Sequence, residues 1–82
     1  MAAEEALLPA VAIFAQLLRV ARLARDHGYG GFSTGEQLFA ALALNRADWL
    51  TELGFTIAEA LDRLGPDWAA EISAAARTLH DE

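Results

Sequence analysis

The chain has 82 residues, no cysteine, six Arg with no Lys, and twelve acids, for a formal charge of −6. That length sets a single domain with a small core. The missing thiols exclude disulfides and thiolate metal sites, and the acidic balance opposes phosphate backbones and anionic membrane surfaces.

Hydrophobic residues make up 55% of the chain, but 19 of them are Ala, so the larger core side chains come chiefly from 13 Leu, four Phe and two Trp. Only two Val, three Ile and four Thr are β-branched, while Ala, Leu, Glu, Gln and Arg dominate, a bias that favours helix over strand. The fold expected is all-α, a small bundle of four to five helices in one domain (1–82), with a long N-terminal helix followed by three or four shorter ones. The Ala content and the exclusive use of Arg match the coding bias of a GC-rich bacterial genome.

The first helix is expected over about residues 4–26, with Pro9 tolerable in its first turn, so that the regular part starts near Leu8. At 100° per residue, Leu7, Val11, Phe14 and Leu18 form one seam. Ala10, Ile13, Leu17, Val20 and Ala24 form a second seam beside it. Together they cover about half the circumference, wider than the stripe of about 100° that a helix on one side of a monomer needs. The helix is therefore expected to be sandwiched, centrally in its own domain or between that domain and a second copy. The second arrangement is favoured, with Leu7, Ala10, Val11, Ile13, Phe14, Leu17, Leu18, Val20 and Ala21 as the homodimer interface.

The same helix holds the longest apolar run, residues 6–18, which contains Pro9 and Gln16 and falls short of the roughly 20 residues a membrane span requires. No charged segment ahead of it marks a secretory leader. A soluble, cytoplasmic protein is expected, with no membrane partner. Arg19, Arg22 and Arg25 are the only basic cluster. It reads either as a patch for an anionic partner or, with greater weight, as a solvated edge that opposes the helix dipole.

Residues 27–35, HGYGGFSTG, form the clearest break, with Gly28 suited to the left-handed position that ends a helix. Ser33 with Glu36, or Thr34 with Gln37, offers a capping box for a second helix over about 35–45 that buries Leu38, Phe39 and Leu42. Asn45 with Asp48 suggests an N-cap for a short third helix over 46–53, with one continuous helix over 35–53 as the alternative. Gly54 ends it in either case.

Thr56 with Glu59 forms a further capping box for a helix over 57–64, ended by Gly65. Pro66 opens the last helix, 66–80, on which Trp68, Ile72, Ala75, Ala76 and Leu79 recur at helical spacing. DWLTEL (48–53) and DWAAEI (67–72) share an Asp-Trp-x-x-Glu pattern that suits two helix starts. Trp49 and Trp68 are expected core residues in that reading, and partner anchors if either is partly exposed.

The segment LGFTIAEALDRL (53–64) resembles the LGFS-containing segment of MerR-type regulators over about twelve residues. That resemblance implies a helix pair in a DNA-binding protein, although this chain has no counterpart to the family's first helix pair and wing. The helix that would read bases carries Glu59, Asp62 and Arg63, and residues 28–82 hold nine acids against three Arg. Both features oppose phosphate neutralisation, so direct nucleic-acid binding is disfavoured and a capped corner with Phe55 and Ile57 turned inward is expected.

No catalytic residue, cofactor or metal site is expected. His27 and His80 stand at helix ends without a Ser or acid at triad or ligand spacing, and GYGGFS follows a helix and has Ser33 where a third Gly would be needed. The function expected is a non-enzymatic, homodimeric protein–protein interaction module with an unidentified protein partner. Its alternatives are an acidic, nucleic-acid-mimicking accessory protein of a bacterial mobile element, or a small helix-turn-helix regulator.

Overall fold

The computed structural model describes residues 2–82, with side chains from Ala12 onward, and among the described residues it is all-helical. Five helices follow in order: α1 (Ala2–His27), α2 (Thr34–Ala43), α3 (Ala47–Leu53), α4 (Ile57–Ala69) and α5 (Ile72–His80). The second helix occupies the centre, packing against α1, α3, α4 and α5. Leu38, Phe39, Ala40, Ala41 and Ala43 are buried around nearly its whole girth. Small side chains at three of these positions let neighbouring helices approach, which is how an Ala-rich chain closes a core with few large residues.

The central position expected as one option for α1 therefore belongs to α2, and α1 lies on the flank against α2 and α5. Its C-terminal half supplies Leu17, Leu18, Val20, Ala21 and Ala24 to the buried set. At 1.5 Å per residue its 26 residues span roughly 39 Å, close to the 44 Å long axis of the molecule and well beyond the 27 and 23 Å of the others. Pro9 is the eighth residue of α1 instead of lying in its first turn.

Local sequence signals explain most helix ends. Gly28 closes α1 at φ 89°, its N–H donating to the Ala24 carbonyl at 2.7 Å. Ser33 is the residue that caps α2. Its hydroxyl accepts from the Glu36 N–H at 3.3 Å, while Glu36 Oε1 accepts from the Ser33 N–H at 3.0 Å. Thr56 and Glu59 make the same reciprocal pair at α4, at 3.0 and 2.9 Å. Gly54 turns left-handed after α3, and the Phe55 N–H reaches back to the Leu50 carbonyl at 2.9 Å.

Three expectations are corrected. Asn45 does not cap α3: it adopts φ 57° and closes α2, its N–H donating to Leu42 O while the Arg46 N–H donates to Ala41 O at 2.8 Å. That paired pattern is a Schellman ending with Asn in the position usually held by Gly. The last helix is not continuous over 66–80. The break at Gly65 (φ 79°, ψ 168°) stands where expected, but Ala70 and Glu71 form a further turn where the Glu71 N–H tightens onto the Trp68 carbonyl three residues back. Ile57 does not turn inward. It is 60% exposed, because Ala60 and the half-buried Leu64 line the core side of α4 instead.

Candidate interaction surface

The interface expected on α1 divides into three parts. Leu17, Leu18, Val20 and Ala21 are buried by the chain itself. They belong to the core that α1 shares with α2 and α5, and their assignment to an intermolecular face is corrected. Ile13 is exposed and Phe14 is half-buried against the core edge. Leu7, Ala10 and Val11 fall outside the residues whose side chains are described.

Ile13 stands four residues before Leu17 and seven before Val20, so by register it shares their side of the helix. On that shared side Leu17 and Val20 are buried while Ile13 keeps 38% of its surface exposed. Gln16 places its Nε2 3.5 Å from Glu36 Oε2 in the first turn of α2. Further along α1, Arg22 and Arg25 both bind Glu82 just beyond α5. Residues 2–13 precede the Gln16 contact and account for roughly 18 Å of the length of α1.

The two tryptophans occupy different environments. Trp49 is buried and held in place by its own chain. The Tyr29 ring meets it edge-on at 5.1 Å between centroids, and the Arg46 guanidinium covers its face at 4.3 Å. Arg46 is itself fixed by two hydrogen bonds to Asp48, at 3.0 and 2.8 Å. Tyr29 donates to Glu52 at 2.7 Å, which raises the phenol pKa by stabilising its protonated form. This cluster ties the glycine-rich connector to α3, so Trp49 is a core residue and not a partner anchor. Trp68 is only half-buried, and it lies with Gly35, Arg63 and Leu64 around a groove of about 220 Å³.

The charged side chains are largely engaged within the molecule. Arg22 and Arg25 hold Glu82 between them, and their hydrogen bonds lower its carboxyl pKa to about 2. Glu36 and Glu59 sit in capping boxes, Asp48 binds Arg46, and Glu52 binds Tyr29. With Glu82, that removes five of the nine acids of residues 28–82 from a continuous anionic surface. The basic cluster is likewise reduced to Arg19, which forms no ion pair among the described residues.

The outward face of α4 presents Glu59, Asp62 and Arg63 to solvent, with Ile57 and Leu61 along one edge. This is unsuited to a phosphate backbone. No three His, Asp or Glu side chains among the described residues are grouped to hold a metal ion, and no described helix is long and apolar enough to cross a membrane. Sequence reasoning named Arg63 and Trp68 separately but not the groove they share, because it exists only where α4 meets Gly35 in the first turn of α2. Comparison with protein-family models, with curated proteins and with solved structures gives no match to this chain.

Proposed function

We propose that this chain is a non-enzymatic protein–protein interaction module that works as a homodimer in the bacterial cytoplasm, pairing through the part of α1 ahead of its Gln16 contact with α2. The observation that carries this reading is Ile13, exposed in register with the buried Leu17 and Val20. A helix face that keeps part of its apolar pattern exposed gains stability by burying that part elsewhere, at roughly 25 cal/mol per Å². In sequence, Leu7, Ala10 and Val11 continue the spacing of Phe14, Leu17 and Leu18 toward the N-terminus.

Relative to the earlier expectation, the interface moves one or two turns toward the N-terminus and excludes Leu17, Leu18, Val20 and Ala21. The engagement of five C-terminal acids in intramolecular contacts favours this reading over imitation of a nucleic acid. Sedimentation velocity over a wide concentration range tests it. The expected result is a reversible dimer that Ile13→Glu converts to a monomer of unchanged helix content. A compact monomer at every concentration overturns the homodimer.

A further inference from the structure

We propose that the groove formed by Gly35, Leu64 and Trp68, with Arg63 on its rim, takes a short acidic segment of a partner protein. One apolar side chain of that segment lies against Leu64 and Trp68, and one carboxylate meets Arg63. This site rests on the interaction-module reading and names the chemistry of the partner. Its lining comes from α2 and α4 and includes no described residue of α1, the helix assigned to pairing.

Arg63 is left free by the way α4 begins and breaks. A glutamate one turn before an arginine is its natural partner on a helix, and Glu59 holds that position. Glu59 is turned back instead, its Oε1 accepting from the Thr56 N–H at 2.9 Å to complete the capping box. Asp67 stands four residues after Arg63, but Gly65 at φ 79°, ψ 168° breaks the helical register between them, and the two form no ion pair. Arg63 therefore presents an exposed guanidinium with no ion-pair partner among the described residues, in a chain with twice as many acids as Arg. Arg22, Arg25 and Arg46 are ion-paired, and Arg19 lies near enough to Glu36 to help lower its pKa. Arg77 also has no such partner, but it does not line this groove.

The groove itself suits one side chain of a larger molecule. Gly35 lets the Trp68 ring approach the α2 backbone, its Cζ3 standing 3.3 Å from the place a Cβ on residue 35 would take. The ring is held there half-buried, with the half-buried Leu64 beside it. A volume of about 220 Å³ falls below the roughly 300–1,000 Å³ of small-molecule sites. A positioned indole next to an aliphatic side chain is instead the kind of surface that centres binding energy between proteins. Charge then selects the partner. Arg63 is the one charged residue on the lining; Glu36 and Glu59 are committed to caps, and Asp67 lies off it. The larger hollow, about 330 Å³ between Leu44, Asn45 and Leu79, has neither Arg nor acid on its lining and so selects no partner.

The test uses two capped peptide probes, Glu-Glu-Leu-Phe-Glu-Glu and the same sequence with Lys for each Glu, and acrylamide quenching of tryptophan fluorescence. Trp49 is buried and contributes little quenching, so the signal reports Trp68. The chain's charge of −6 attracts the Lys probe at long range, so a preference for the acidic probe comes from the groove. The acidic probe is expected to protect Trp68 saturably, with a dissociation constant of about millimolar order, as one anchored side chain and one ion pair allow. Arg63→Glu, on an exposed side chain, should weaken that probe by about tenfold, and Arg77→Glu, the same change away from the groove, by less than about twofold. No protection, equal or stronger protection by the Lys probe, or equal loss in the two variants overturns the site. Sedimentation without probe reads the homodimer separately. A dimer that fails to bind the acidic probe overturns this site alone, and a monomer that binds it overturns only the homodimer.

Discussion

Ile13 and Leu17 stand one turn apart on the same side of α1, yet Leu17 is 1% exposed and Ile13 is 38% exposed. The difference separates folding from association. At a concentration low enough to keep the chain monomeric, Leu17→Ala should cost about 2–5 kcal/mol of folding stability, the range for emptying a well-packed Leu site. Ile13→Ala should cost less, about 1 kcal/mol, because more than a third of its surface stays exposed. Urea titrations followed by helical circular dichroism read both values. Equal losses at the two sites would mean that the bundle covers Ile13 in solution.

Trp49 is the second stability centre, and its neighbours should matter in a graded way. Trp49→Ala should cost about 3–5 kcal/mol, enough to threaten folding in so small a domain. Arg46→Ala should lower the melting temperature modestly, since the guanidinium both covers the indole and holds Asp48. Arg46→Lys should recover little of it, because an ammonium keeps the charge but loses the two-pronged grip on the carboxylate. Thermal melts of the three variants at one concentration give the order. A lysine variant as stable as the parent would show that charge alone, not the planar fork, supports the cluster.

Those two sites also show how far the sequence could be read. The all-helical composition, the capping boxes at Ser33 and Thr56, and the breaks at Gly28, Gly54 and Gly65 are short-range signals, legible because each depends on residues no more than four apart. The outcome for α1 was not. Its two seams are present in the sequence, but whether Leu17 and Ile13 face a sister helix or solvent depends on where α2 begins in space, and periodicity carries no such information. The same limit applies to Trp49 and Trp68, which share an Asp-Trp-x-x-Glu pattern and differ only in what Tyr29, Arg46 and Gly35 bring to them. Asn45 was misread because Asn suits both a helix start and a left-handed helix end, and the bonds from Asn45 N–H to the Leu42 carbonyl and from Arg46 N–H to the Ala41 carbonyl select the second.

Asn45 at φ 57° gives a direct test of that ending. Asn45→Gly should be neutral or slightly stabilising, since glycine occupies the left-handed region without strain. Asn45→Ala should cost about 1 kcal/mol, because a Cβ there crowds the following carbonyl and no polar side chain compensates. Urea unfolding of the pair separates the two. Destabilisation by glycine as large as that by alanine would instead assign the role to the Asn amide group.

Acid should unfold the protein through its carboxylates, and the direction follows from their partners. Glu36 and Glu59 have pKa values below the usual 4.5, chiefly because each accepts a hydrogen bond from the backbone N–H of its own cap residue, Ser33 and Thr56. Glu82 is held at about 2 by Arg22 and then Arg25. A carboxylate whose folded pKa lies below its unfolded one adds stability above the unfolded value and loses it as pH falls through the folded value. The melting temperature should therefore hold near neutral pH, begin to drop below about pH 4.5, and keep falling toward pH 2 as Glu82 protonates. Glu36→Gln with Glu59→Gln should flatten the upper part of that decline while leaving the caps formed, since Gln also completes a capping box. Glu82→Gln should flatten only the lower part. If the triple variant shows the same acid profile as the parent, the decline comes from the remaining carboxylates and the general net charge rather than from these three contacts.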